Sequence, residues 1–177
     1  MDALPRRITY RPIGVIRSPF RSPRGTPIQP AAAEGVEGTV EVFPEYEDGL
    51  KDLEGFSHVI LIYHLHLAGP PRLLVRPFMD DRLRGVFATR APSRPNPLGL
   101  SVVRLVSVEG RFLRVRDLDV VDGTPMLDLK PYVPEFDVRR VDSVGWLEGK
   151  SERLRDARDD GRFVGSRSVG GVGKRRP

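Results

Sequence analysis

A mainly β chain that closes into one antiparallel β-barrel, with few short helices and a flexible C-terminal tail, is the fold this sequence predicts. Three observations carry the prediction. Six or seven stretches of β-branched, aromatic or alternating residues follow one another along the chain, the pattern of strands. Helical periodicity between them is scarce. The connections are Gly- and Pro-rich, and one of them, "SVEGRF", reads as a hairpin around Gly110.

The elements are expected in the following order. "RRITYRPIGVIRSPF" (Arg6 to Phe20) alternates apolar and polar residues and reads as a first strand, ending at Ser-Pro. "RSPRGTPIQPAAAEGV" is too rich in Pro and Gly to pack alone and reads as a long loop. In "EGTVEVFPEY" (Glu37 to Tyr46) Thr39 and Glu41 fall on one face and Val40 and Val42 on the other. "EDGLKDLEGFS" has room for one short helix. "HVILIYHLHL" (His58 to Leu67) is apolar on both faces, as in a central strand covered on each side. "RGVFATR" (Arg84 to Arg90), "LSVVRLVSVEG" (Leu100 to Gly110), "FLRVRDLDVVDG" (Phe112 to Gly123) and "PMLDLKPYV" (Pro125 to Val133) complete the strands. "SERLRDARDD" is a marginal helix, and "GRFVGSRSVGGVGKRRP" has too few apolar residues to fold, so the division falls at 1–149 for the barrel and 150–177 for a basic, disordered tail.

At 177 residues the chain is long enough to bury a core without disulfides, and it has no cysteine. Thiolate catalysis, cysteine-ligated zinc and iron–sulfur clusters are excluded. No signal peptide is expected from "MDALPRRITY", and "HVILIYHLHLAG" is too short to span a bilayer, so a cytoplasmic protein without membrane contact is expected. The net charge is +5; residues 150–177 carry nine Lys/Arg against four Asp/Glu, while the rest of the chain balances. No G-x-G-x-x-G, P-loop, G-x-S-x-G or H-E-x-x-H motif is present.

Three clusters carry polar chemistry. In "GVFATRAPSRPNPLGLSVVRL" (Gly85 to Leu105), Ala91, Ser93 and Asn96 each precede a proline and are pushed toward extended geometry, so the loop is stiff before any partner arrives. Arg90 and Arg94 present planar guanidinium forks suited to carboxylate or phosphate. The same arginines can equally brace the loop against local acceptors. In the strand after the Asp122-Gly123 turn, period-2 alternation puts Asp128, Lys130 and Tyr132 on one face, with Met126 next in line. Such a row can transfer protons or simply face solvent. His64 and His66 lie two apart on a strand, but no third ligand has matching spacing and no metal site is expected.

"IGVIRSPF" (Ile13 to Phe20), "LEGFSHVILIYHLH" (Leu53 to His66), the proline-rich block and "LDVVDGTPMLDLKPY" (Leu118 to Tyr132) occur in this order and resemble the signature blocks of the TrmO family, also called TsaA-like or YaeB-like. The resemblance covers roughly residues 11 to 138. It implies a single-sheet β-barrel working as a homodimer, with S-adenosylmethionine as cofactor and the anticodon loop of tRNA as substrate. The reaction implied is N6-methylation of threonylcarbamoyladenosine at position 37. Carried over by motif, the cofactor contacts are Pro27, Gln29 and Pro30 of "PIQP", His66 and Leu67, Arg90, Leu100, and Val120, Val121, Asp122, Gly123 and Thr124 of "VVDGT". On this resemblance Asp128 assists loss of the acceptor proton, Lys130 and Tyr132 orient or stabilise charge, and Arg94 holds the threonyl carboxylate or a phosphate. Many bacterial members continue into a second domain, where this chain has the basic tail. Two other readings stay open: a methyltransferase of the same fold acting on another nucleobase or small molecule, and a non-catalytic RNA-binding barrel. The latter lacks clustered stacking aromatics, since aromatics are 7% of the chain.

Overall fold

The computed structural model describes residues 6–165. Six of its strands form a closed antiparallel barrel: β1 (Gly14–Arg17), β2 (Glu37–Val42), β3 (His58–His64), β6 (Leu98–Glu109), β7 (Phe112–Arg116) and β8 (Thr124–Pro131), in the order β1-β2-β7-β6-β3-β8. β4 (Leu74–Val75) and β5 (Arg84–Gly85) make a separate two-stranded sheet, and α1 (Pro134–Asp137) follows the barrel. Closure leaves no unpaired edge.

Alternation decides which residues fill the barrel. Val40 and Val42 point inward at 0% and 2% exposure while Thr39 and Glu41 face outward, as the sequence predicts. Ile16, Val59, Leu61, Val103, Leu113, Val115 and Met126 complete the buried interior, each contributing on the order of 1.5–3 kcal/mol. β6 pairs β3 through its first half and β7 through its second, with a register shift between Leu105 and Ser107. A bulge there bends the strand so that one element serves two neighbours around a tight barrel. Gly110, with φ +56°, turns β6 into β7, which is the predicted hairpin.

Several expectations shift. The first strand is only Gly14–Arg17, because Pro12 offers no N–H and pairing begins beside it, where the Ile13 N–H donates to Met126 O at 2.8 Å. "RGVFATR" is not a barrel strand: after Arg84–Gly85 the chain turns through a 3-10 helix, Val86–Ala88, with Val86 buried and Phe87 75% exposed. The helical capacity of "EDGLKDLEGFS" appears as two 3-10 segments, Pro44–Leu50 and Leu53–Gly55. β3 is covered on its inner face only; Ile60 and Ile62 stand half-buried on the outside of the barrel. In β8 the pairing with β3 shifts at Ile62/Tyr63, so Met126 is inward at 0% exposure while Asp128 and Lys130 face outward opposite Ile62 and Ile60. Simple alternation across that bulge would have put Met126 beside Asp128.

Packing also continues past Gly149. Trp146 donates its indole N–H to Ala88 O at 2.7 Å, Lys150 pairs with Asp80 at 3.2 Å, and Phe163 is buried in a second apolar cluster with Val75, Val86 and Ala91. The tail expected beyond residue 149 therefore comprises a packed stretch up to residue 165 and residues 166–177, which lie outside the described residues.

Candidate active site

At one end of the barrel, loops that are distant in sequence enclose a cavity of about 630 Å³, within the range of small-molecule and cofactor sites. The segment 26–29, the chain leaving β3, the proline-rich loop and the turn before β8 all contribute to it. The chain leaving β3 and the turn before β8 start at the ends of barrel strands, the proline-rich loop runs into β6, and segment 26–29 lies in the connection from β1 to β2, so closure of the sheet is what brings them together.

Of the residues expected to contact cofactor, Pro27, Gln29, His66, Leu67, Arg90, Leu100, Val120, Val121 and Thr124 line this cavity. Pro30, Asp122 and Gly123 do not. Pro30 opens a 3-10 helix, Pro30–Ala32. Asp122 is used as a tie: its Oδ1 accepts the Ser18 N–H at 3.1 Å and its Oδ2 accepts Arg21 Nη1 at 2.7 Å. Gly123 supplies the positive φ, +77°, of the turn that delivers Thr124. β3 ends at His64, so the two histidines do not share a strand; His66 follows in the turn, its Nδ1 3.3 Å from Thr124 Oγ1.

The two arginines divide between gripping and bracing. Arg90 reaches across the cavity mouth and donates from Nη1 to Gln29 Oε1 at 2.7 Å, joining two of the loops. Arg94 also lines the cavity, but its Nη1 donates to Thr89 O at 3.1 Å and Ala91 O at 3.3 Å, back into its own loop. The proline-rich loop is thus stiffened by its prolines and by one of the guanidinium groups.

Asp128, Lys130 and Tyr132 are outside the cavity lining. Asp128 pairs with Lys130 at 2.7 Å on the outer wall, both partly exposed, and Tyr132 at the far end of β8 packs edge-on against His58 with ring centroids 6.3 Å apart.

Two carboxylates do line the cavity, Asp119 and Asp159, and the sequence pattern singled out neither; Asp119 is the one held at the barrel end. It sits in "LDVV" between Leu118 and Val120, exposed 0% and 3%; a lone acid between two buried apolar residues was the available signal. Ser101, 1% exposed, donates its hydroxyl proton to Asp119 Oδ1 at 2.6 Å and lies 2.9 Å from the Tyr63 hydroxyl. A serine has one proton to give, so Tyr63 donates to Ser101 and the chain runs Tyr63, Ser101, Asp119. Burial pushes the Asp119 carboxyl up to about 6, against the stabilising effects of the Ser101 bond and of Arg90, and burial likewise raises the Tyr63 hydroxyl. Gly99, paired with Tyr63 across β3 and β6, leaves the room this ring occupies: a Cβ there would overlap it.

The donor set therefore combines an apolar lining, including Leu65, Leu67 and Leu98, with amide, guanidinium, imidazole, hydroxyl and carboxylate groups. This suits a ligand that joins a flat heteroaromatic ring to a zwitterionic chain.

Comparison with known proteins agrees with the architecture. Residues 15–138 match the model of the tRNA-methyltransferase O N-terminal domain. A Pyrococcus abyssi protein named "Probable S-adenosyl-L-methionine-binding protein" is 62% identical over 160 residues, covering 90% of this chain and 87% of that protein. The tRNA (adenine(37)-N6)-methyltransferase of Escherichia coli is 38% identical over 135 residues, 71% of this chain and 57% of that enzyme. The crystal structure of TrmO from Pseudomonas aeruginosa superposes with a TM-score of 0.66 at 39% identity, covering 79% of this chain and 62% of that one. The barrel with its end cavity, and the match over residues 15–138, place this chain in the TrmO family, of which it carries the N-terminal domain.

Proposed function

We propose that this protein is an S-adenosylmethionine-dependent methyltransferase that N6-methylates threonylcarbamoyladenosine at position 37 of tRNA. The observation that carries the reading is the end cavity, where nine of the twelve residues expected by motif to contact the donor come together from four separate parts of the chain. The Escherichia coli relative acts at adenine 37 of tRNA by name. The bound sulfonium donor would supply an activated methyl group, and the protein's part is to position and to manage one proton.

Gln29 and Arg90, linked to each other, and Thr124 with His66 are placed to hold the donor. The acceptor nitrogen is flanked by a purine and a carbonyl that delocalise its lone pair, so it must lose a proton before or during attack. Asp119 takes that role in this reading. It faces the cavity, and a carboxyl near 6 is ionised at neutral pH yet more basic than an ordinary carboxylate. Arg94, braced by its own loop, is positioned for the anionic threonyl group. An anticodon-loop base is already unpaired and can enter without duplex opening.

Mass spectrometry of tRNA that carries N6-threonylcarbamoyladenosine without the N6-methyl group, incubated with the protein and donor, tests the proposal: the expected product gains one methyl group on N6 of that nucleoside, and bulk adenosine gains none. Methylation of a different nucleoside, or of none, rejects it.

The homodimer belongs to the same reading. Ile60, Ile62, Leu98, Leu100 and Val102 form an apolar outer face on β3 and β6, with Leu98 and Leu100 44% and 51% exposed. Asp128 and Lys130 border that face, so dimerisation through it brings them to the seam. Leu100→Glu is expected to convert a dimer to a monomer in light scattering; an unchanged mass rules out this face.

A further inference from the structure

One wall of the cavity comes from a stretch beyond the matched domain. Residues 157–165 run between two of the site loops and pair with both. On one side the Asp159 N–H donates to Thr26 O at 2.9 Å, the Gly25 N–H to Asp159 O at 2.7 Å and the Ile28 N–H to Ala157 O at 3.4 Å. On the other the Gly69 N–H donates to Phe163 O at 2.8 Å, the Gly165 N–H to Leu67 O at 3.0 Å, and Ser93 Oγ to Phe163 O at 3.4 Å. Phe163 anchors the stretch, edge-on to Phe78 with centroids 5.2 Å apart. The loop bearing Pro27 and Gln29, the turn bearing Leu67 and the proline-rich loop are thereby tied to one another through a single strap.

The strap also brings chemistry. Asp159 and Phe163 both line the cavity, and the Asp159 backbone is fixed by bonds in both directions. Its Oδ1 accepts the Gly161 N–H at 2.6 Å. Burial raises its carboxyl from the ordinary value, and Arg162 opposes that shift while Asp160 adds to it.

We propose that residues 157–165 are part of the donor site, and that Asp159 sets its preference for the positively charged sulfonium donor over the neutral thioether product. The inference rests on the donor reading above. Donor and product differ by one methyl group and one positive charge. A fixed carboxylate in the wall of a partly desolvated cavity acts on that charge over several ångströms, so it discriminates without touching sulfur. Asp119 adds to the effect, and Arg90 and Arg94 oppose it. His66 also faces the cavity. All four remain when Asp159 alone is changed, so the substitution isolates its share.

Calorimetric titration of the full chain at about pH 8 with S-adenosylmethionine and with S-adenosylhomocysteine gives the test. In Asp159→Asn the donor Kd is expected to rise about fivefold, with the product Kd changing less than about twofold. A donor-to-product affinity ratio equal to that of the native chain overturns the assignment to Asp159. Hydrogen exchange on the native chain tests the strap without any substitution: ligand binding is expected to slow exchange at the amides of Gly25, Gly69 and Gly165, which form its two ladders. Unchanged exchange at those three amides, with the barrel-side loops protected, removes the strap from the site. A native chain that binds neither ligand overturns the donor reading, and this proposal with it; that result appears before any variant is made.

Discussion

Asp119→Asn is expected to lower the single-turnover methylation rate by about 100-fold or more while leaving donor affinity within a few-fold, because the substitution removes a proton acceptor and keeps the shape. The asparagine amide can still meet the Ser101 hydroxyl, so the fold should persist. In the native protein the rate should rise with pH through about 6 and level off above it, since the ionised carboxylate is the active form. Folding stability has the opposite slope. The folded carboxyl titrates near 6 and the unfolded one near 4, so between those values the native state binds more protons and stability falls as pH rises. Asp119→Asn should flatten both profiles in the same pH window. If the variant turns over at the native rate, the acceptor role moves elsewhere, and Asp128→Asn is the next variant to assay.

Gly99→Ala is expected to be among the most disruptive single-methyl additions in the protein. The new Cβ would overlap the Tyr63 ring, which lies inside the barrel at 6% exposure and is paired through its backbone with Gly99 itself. A rigid ring cannot yield as a flexible chain end would, so the cost is about 1–3 kcal/mol of overpacking. Displacing Tyr63 also breaks its hydrogen bond to Ser101, which keeps its bond to Asp119, and loss of that one bond costs about 0.5–1.5 kcal/mol more. Urea unfolding of Gly99→Ala, Tyr63→Leu and the double variant gives the decisive cycle. The penalty of Gly99→Ala should shrink by at least half when the ring is absent. Equal penalties in both backgrounds would show that the glycine serves the strand and not the ring.

These two predictions concern residues that the sequence reading left aside, and the reason is physical. Asp119 looks like a turn-proximal acid next to Asp122, and only the topology shows that one faces the cavity while the other ties Ser18 and Arg21. Tyr63 and Gly99 are far apart in the chain and meet only because β3 and β6 are neighbours in a particular register. Nine of the twelve residues that the motif resemblance assigns to the donor line the cavity, because a motif follows whole loops and the loops gather at one end of the barrel; Asp128, Lys130 and Tyr132 do not line it. Period-2 alternation correctly groups Asp128 with Lys130, but a period says which residues share a face and never which face is the inner one.

What lay in the sequence by itself was the class and its punctuation. Alternating apolar residues, scarce helical periodicity and the Gly110 hairpin are local properties, written in residue order, and the barrel strands follow them. Local order also explains why the proline-rich loop is stiff. The tertiary structure alone decided which strands neighbour each other, that a bulge in β8 turns Met126 in and Asp128 out, and that Arg94 braces while Arg90 reaches across to Gln29. It alone brought residues 157–165 back over the cavity, where composition had indicated a free tail. Those outcomes depend on closure of the sheet, a long-range event whose register is set by packing of inward side chains against each other, and no window of sequence contains both partners.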